Sequence, residues 1–159
     1  MFKPKKSLGQ NFLQDKNIIK KILNLTNIKN ANILEVGPGY GILTDEIIKL
    51  KPKCLILIEK DKHLYNLLIK KYKKLDIKII NEEILNFNFK KLSNFKIISN
   101  LPYNISSKFL ISALKYNIYI NEIICMIQSE LADKFDASKN KMNKYKFISK
   151  YCSEYKIKF

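Results

Sequence analysis

At 159 residues the chain fits one domain, with room for a core between a sheet and flanking helices. Thirty basic residues, all lysine, against 14 acidic ones leave a formal charge of +16, a surplus that attracts nucleic acid or an anionic membrane surface. Cys54, Cys125 and Cys152, with no C-x-x-C spacing, argue against structural zinc or a disulfide framework, and no window approaches the roughly 18 apolar residues of a membrane span.

The first segment with helical spacing carries Ile18, Ile19, Ile22 and Leu23 after Asp15, a plausible cap. Ile33 to Val36 then form a short apolar run that ends at glycine, as a buried strand does. The next helix opens at Gly41, carries Leu43, Ile47 and Leu50 on one face, places Asp45 and Glu46 near its positive end, and is closed by Pro52. Leu55 to Ile58 is a second strand, and Leu64, Leu67, Leu68 and Leu75 mark a lysine-rich helix. Ile77 to Ile80, Lys96 to Ile98 and Ile123 to Ile127 read as three more strands, with Phe109, Leu110, Ala113 and Leu114 at helical spacing between the last two. The tail from Asp136 to Phe159 is polar and reads as a helix followed by a last strand over Tyr155 to Phe159.

This alternation calls for right-handed crossovers and a mostly parallel sheet between helices, the doubly wound α/β fold. The 159 residues are expected to form a single domain, with residues 1–14 as an arm and 136–159 as an incomplete edge. The abundance of Lys, Asn, Ile, Phe and Tyr also fits an A+T-rich genome, so part of the charge reflects base composition rather than function. Met1 to Ser7 lacks the apolar stretch of a secretion signal, which makes a cytoplasmic protein the expectation.

In an open parallel sheet the ligand lies at the carboxyl ends of the strands where their order reverses. Three of the four glycines, Gly37, Gly39 and Gly41, follow the first strand, where glycine permits positive φ and close approach of a ligand to the backbone. Glu59 ends the second strand and is placed to accept hydrogen bonds from both ribose hydroxyls of an adenosine moiety, in NAD and S-adenosylmethionine alike. The turn is G-x-G-x-G, and the helix after it begins with acidic residues. Both favour a cofactor without phosphates that carries a positive sulfonium. Glu82 and Glu83 follow the third strand at the same edge, where a carboxylate can accept from an adenine amino group.

Lys6 to Leu13 (Lys-Ser-Leu-Gly-Gln-Asn-Phe-Leu), Glu35 to Gly39, Ile58-Glu59 and Asn100 to Ser106 (Asn-Leu-Pro-Tyr-Asn-Ile-Ser) closely resemble the ribosomal RNA adenine dimethyltransferases, the bacterial family responsible for kasugamycin sensitivity. Order and spacing agree from about residue 5 to residue 152. The resemblance implies the S-adenosylmethionine methyltransferase fold, S-adenosyl-L-methionine as cofactor, and as substrate two neighbouring adenines near the 3′ end of small-subunit ribosomal RNA, each methylated twice at N6. It places Asn11, Leu13, Gly37, Glu59 and Asn100 on cofactor-contact positions, with Gln10 and Gly39 beside them. Glu83 stands where the family usually has Asp. The partner is then the small ribosomal subunit, with no membrane, no metal, and a monomeric enzyme.

An Asn-Leu-Pro-Tyr loop suits that reaction, because the N6 lone pair of adenine is delocalised until the amino group turns tetrahedral. Acceptors on its hydrogens favour the change: the side-chain oxygen of Asn100 and the backbone carbonyl of Leu101, with Pro102 stiffening the loop. Tyr103 is expected to stack on the extruded base, worth about 1–3 kcal/mol. Lys3, Lys5 and Lys6 are expected to touch phosphates. His63 and Lys70, Lys71, Lys73 and Lys74 are expected to be a solvated helix face. Beyond Cys152 the family continues with a further strand, a proline-rich loop carrying a second aromatic, and a small helical domain that this sequence does not contain. An incomplete sheet edge, one-sided stacking of the base and weaker RNA binding are therefore expected. The rival readings are a non-catalytic RNA-binding or ribosome-assembly remnant and a nucleotide-dependent oxidoreductase. Relatives acting on large-subunit ribosomal RNA, and mitochondrial transcription factors, share the same core.

Overall fold

The computed structural model describes residues 13–135, 143–146, 154 and 158. Gln10, Asn11, Lys3, Lys5, Lys6 and Cys152, and most of the expected helix and last strand of the tail, lie outside the described residues.

Asp15 opens the first helix, α1 (Lys16–Leu23), where its carboxylate accepts from the N–H of Asn17 at 2.7 Å and of Ile18 at 3.4 Å. There follow β1 (Asn32–Val36), α2 (Ile42–Lys49), β2 (Cys54–Ile58), α3 (Lys62–Lys71), β3 (Lys78–Ile80), β4 (Phe95–Asn100), α4 (Ser106–Leu114), β5 (Ile120–Met126) and α5 (Ser129–Phe135). The five strands are all parallel, in the order β3-β2-β1-β4-β5. The chain winds outward from β1 to β3, then returns to pair β4 with the other side of β1. The order therefore reverses between β1 and β4, and the crevice there is the expected place for a ligand.

Both faces of the sheet are covered, which is why its strands read as unbroken apolar runs. On one side Ile33, Leu57 and Ile98 pack with Ile19, Ile47 and Leu68 of α1, α2 and α3. On the other, Leu34, Val36 and Ile97 pack with Phe109 and Ala113 of α4. That second side also holds two single-turn 3-10 helices, Ile84–Asn86 and Phe89–Lys91, which bring Ile84, Phe87 and Phe89 into the core. Such turns are too short to leave a periodic signal in sequence.

Several boundaries move. Helix α2 begins at Ile42, with Gly41 as its left-handed cap. Leu50 and Leu75, expected on buried helix faces, follow the ends of α2 and α3 and are 42% and 47% exposed. Strand β5 starts at Ile120 rather than Ile123, because pairing with Phe95 across an irregularity in the ladder sets its start, not side-chain apolarity. No helix among the described residues is long and apolar enough to cross a membrane.

Candidate cofactor and target site

The ladder between β1 and β2 continues one residue past β1, with the Gly37 N–H donating to the Ile58 carbonyl at 2.9 Å. The chain then turns through three left-handed glycines, Gly37 at φ 64°, Gly39 at 59° and Gly41 at 77°. At Gly41 space demands glycine as well: a Cβ there would overlap the Tyr72 hydroxyl.

Across the β1/β4 crevice stands the loop that follows β4. A Cβ on Gly37 lies 3.6 Å from Pro102 Cδ, so two motifs some sixty residues apart are in van der Waals reach. The loop is held at both ends. Its Pro102 carbonyl accepts from the N–H groups of Ile105 and Ser106 at 3.2 Å each, and from the buried Ser106 hydroxyl at 2.8 Å. Before it, the paired register of β1 and β4 ends at Glu35 and Ile98, and the fully buried Ser99 hydroxyl donates to the Val36 carbonyl at 2.6 Å. Ser99→Ala is expected to cost about 1–3 kcal/mol by removing a buried donor, read as a lower urea midpoint with unchanged slope.

One cleft opens at this end of the sheet. Gly37, Gly39 and Tyr40 line it together with Leu13. Glu59 and Lys60 reach it from β2, Glu82 and Glu83 from β3, and Asn100, Pro102, Asn104 and Ile105 from β4. Glu59 is buried: one oxygen accepts from the Gly39 N–H at 3.1 Å, the other from the Asp61 N–H at 2.8 Å. Burial raises its pKa, and those two backbone donors hold it down. Glu83 pairs with Lys60 at 2.7 Å and caps the first 3-10 turn.

Leu13, Gly37, Gly39, Glu59, Glu83, Asn100 and Pro102 thus share one cleft. Asn100 is half-buried, with its Oδ1 shielded from solvent. The Leu101 side chain does not line the cleft: it is a core residue, 1% exposed, and its N–H donates to the Met126 carbonyl at 3.2 Å. Tyr103 lies outside the cleft lining and is 39% exposed. His63 is exposed, as are Lys70, Lys73 and Lys74, but Lys71 is not a plain solvated lysine, since it bonds Asp45 and the glycine turn.

Glu35 was given no role by its sequence context. It lines the cleft from β1 at 1% exposure, accepting from the Thr44 hydroxyl at 2.7 Å. Burial, only partly opposed by that hydrogen bond, pushes its pKa up to about 8. The legible signal was an acid inside an apolar strand buried on both faces. For Thr44, Tyr72 and Ser99 no such signal exists.

A five-stranded parallel sheet with a glycine turn and acidic strand ends at its switch point is the doubly wound fold of S-adenosylmethionine-dependent methyltransferases. The chain belongs to the ribosomal RNA adenine dimethylase family, whose pattern it matches over residues 1–156. It is 43% identical over 146 residues to the Ribosomal RNA small subunit methyltransferase A of Pelagibacter ubique, covering 89% of this chain and 55% of that protein. It is 40% identical over 159 residues to the protein of the same name from Mycoplasmopsis synoviae, covering 98% and 61%. The chain therefore spans little more than half the length of these relatives. Among solved structures, the 23S rRNA methyltransferase ErmE superposes with a TM-score of 0.70 at 27% identity, over 78% of this chain and 50% of that one. A dimethyladenosine transferase from Plasmodium falciparum gives 0.68 at 25%, over 79% and 46%.

Proposed function

We propose that this chain is a methyl-transfer core that moves methyl groups from S-adenosylmethionine to N6 of adenines in small-subunit ribosomal RNA. The observation that carries the reading is the meeting of the glycine turn with Pro102 across the β1/β4 crevice, which puts a cofactor cradle against an Asn-Leu-Pro-Tyr loop. The names of the relatives support it, as does the charge of the cleft. In a chain of net charge +16, the cleft is lined by Glu59, Glu82 and Glu83, and Lys60 is the one cation among its described residues. Such a lining suits a cationic, phosphate-free cofactor and opposes a pyrophosphate.

In this reading Gly37 and Gly39 let the cofactor approach the backbone, Glu59 takes the ribose hydroxyls and Glu83 the adenine amino group. Leu13 packs against the cofactor, and Gln10 and Asn11 are assigned a cofactor-binding role with it. When bound, S-adenosylmethionine supplies an activated methyl whose sulfonium is its own leaving group, so no strong base is needed. Asn100 Oδ1 and the Leu101 carbonyl accept the hydrogens of N6, Pro102 keeps the two acceptors in place, and Tyr103, exposed beside the cleft, stacks on the base. The lysine surplus holds the small ribosomal subunit, and the protein works as a cytoplasmic monomer built on a single domain over 1–159.

The test is transfer of labelled methyl from S-adenosylmethionine to unmethylated small ribosomal subunits. Label recovered as N6-methylated adenine is the expected result. Subunit binding without transfer would replace this reading by that of a non-catalytic RNA-binding protein.

A further inference from the structure

We propose that Tyr72 and Lys71, at the end of α3 and outside the cleft, are positioning residues that hold the glycine turn in its cofactor-binding shape from behind. The inference rests on the cofactor reading above.

Glycine loses more backbone entropy on ordering than any other residue, so a turn with three left-handed glycines depends on outside ties for its shape. On the cleft side the tie is Glu59, accepting from the Gly39 N–H. On the far side the Lys71 ammonium donates to the Tyr40 carbonyl at 3.0 Å, and the Tyr72 hydroxyl lies 2.9 Å from the Gly41 carbonyl. Tyr40 thus faces the cofactor cleft while its carbonyl is held by a lysine some thirty residues away.

The two ties are themselves fixed. Asp45, in the first turn of α2, accepts from Lys71 at 2.7 Å through one oxygen and lies 2.8 Å from the Tyr72 hydroxyl through the other. The Lys71 ammonium also sits 5.1 Å from the centre of the Tyr72 ring. Tyr72 is only 5% exposed, so its hydroxyl acts in a region of low dielectric, where linked hydrogen bonds reinforce one another. The Gly41 carbonyl and the Asp45 carboxylate both lie within hydrogen-bond reach of that one hydroxyl, which joins turn and helix in one unit. The same hydroxyl fills the space a Cβ at Gly41 would need, so the ring and the glycine are complementary.

Calorimetric titration of S-adenosylmethionine into the chain, alongside its thermal unfolding, tests this. Tyr72→Phe is expected to raise the Kd about tenfold at 25 °C in a folded protein, the equivalent of one buried hydrogen bond. Lys71→Met, on a more exposed side chain, is expected to raise it about threefold. Ile19→Val, which thins the core at α1, is expected to lower Tm and leave Kd unchanged. Equal Kd for the parent and Tyr72→Phe would overturn the inference alone, as would a matching loss of affinity in Ile19→Val. Absence of binding by the parent chain would overturn the cofactor reading and this inference with it.

Discussion

Asn100→Ala is expected to lower methyl transfer to small ribosomal subunits by roughly a hundredfold or more, with the fold intact. The side chain stands at the last residue of β4, whose backbone pairs in register with Met126 of β5, so the strand persists without it. In the proposed reaction the variant loses the acceptor that draws on the N6 hydrogens as N6 sheds its conjugation with the ring. An acceptor that acts only as N6 turns tetrahedral belongs to the transition state, so the loss falls on kcat more than on the KM for RNA. Asn100→Asp keeps an acceptor and is expected to retain measurable transfer, though with altered cofactor affinity. Equal activity in the Ala variant and the parent would remove Asn100 from the mechanism.

Between pH 5 and pH 9 the cofactor-free protein is expected to lose on the order of a few kcal/mol of stability through Glu35. In the folded chain this carboxyl keeps its proton up to about 8, against the ordinary value of 4.5 that the unfolded chain approaches. Across that window the folded state binds more protons than the unfolded state, so stability is full at the acid end and falls as pH rises. Glu59, raised in the same direction by burial, adds to the slope. Urea midpoints of the parent and Glu35→Gln, measured from pH 5.5 to 9, are expected to diverge as pH rises, with the Gln protein the more stable at the alkaline end. Parallel curves would show that Glu35 is ionised in the fold. A cation bound in the cleft favours the ionised form, so cofactor binding near neutral pH is expected to release a proton. That release is read from calorimetry in buffers of different ionisation enthalpy, and it is expected to be smaller in Glu35→Gln.

Much of this protein is legible without coordinates. Apolar runs such as Leu55 to Ile58 mark strands buried on both faces, Asp15 marks a helix start, and glycines packed into one short stretch mark a turn that needs positive φ. These are local properties, set by side-chain period and backbone sterics within a few residues, so the alternation of elements and the identity of the turn and loop motifs can be read directly from the residues. It also supplied the family, through several motifs in register.

What those motifs do to one another depends on the packed fold. The return of β4 to the free side of β1 brings Pro102 onto Gly37, and no period along the chain encodes that strand order. The proton on Glu35 follows from burial under α2, the engagement of Lys71 from the place where α3 ends, and the exposure of Leu50 and Leu75 from helices that stop before them. Each is a contact or a desolvation between segments far apart in sequence. Such terms depend on distance in space, and distance in space is fixed only once the sheet has closed.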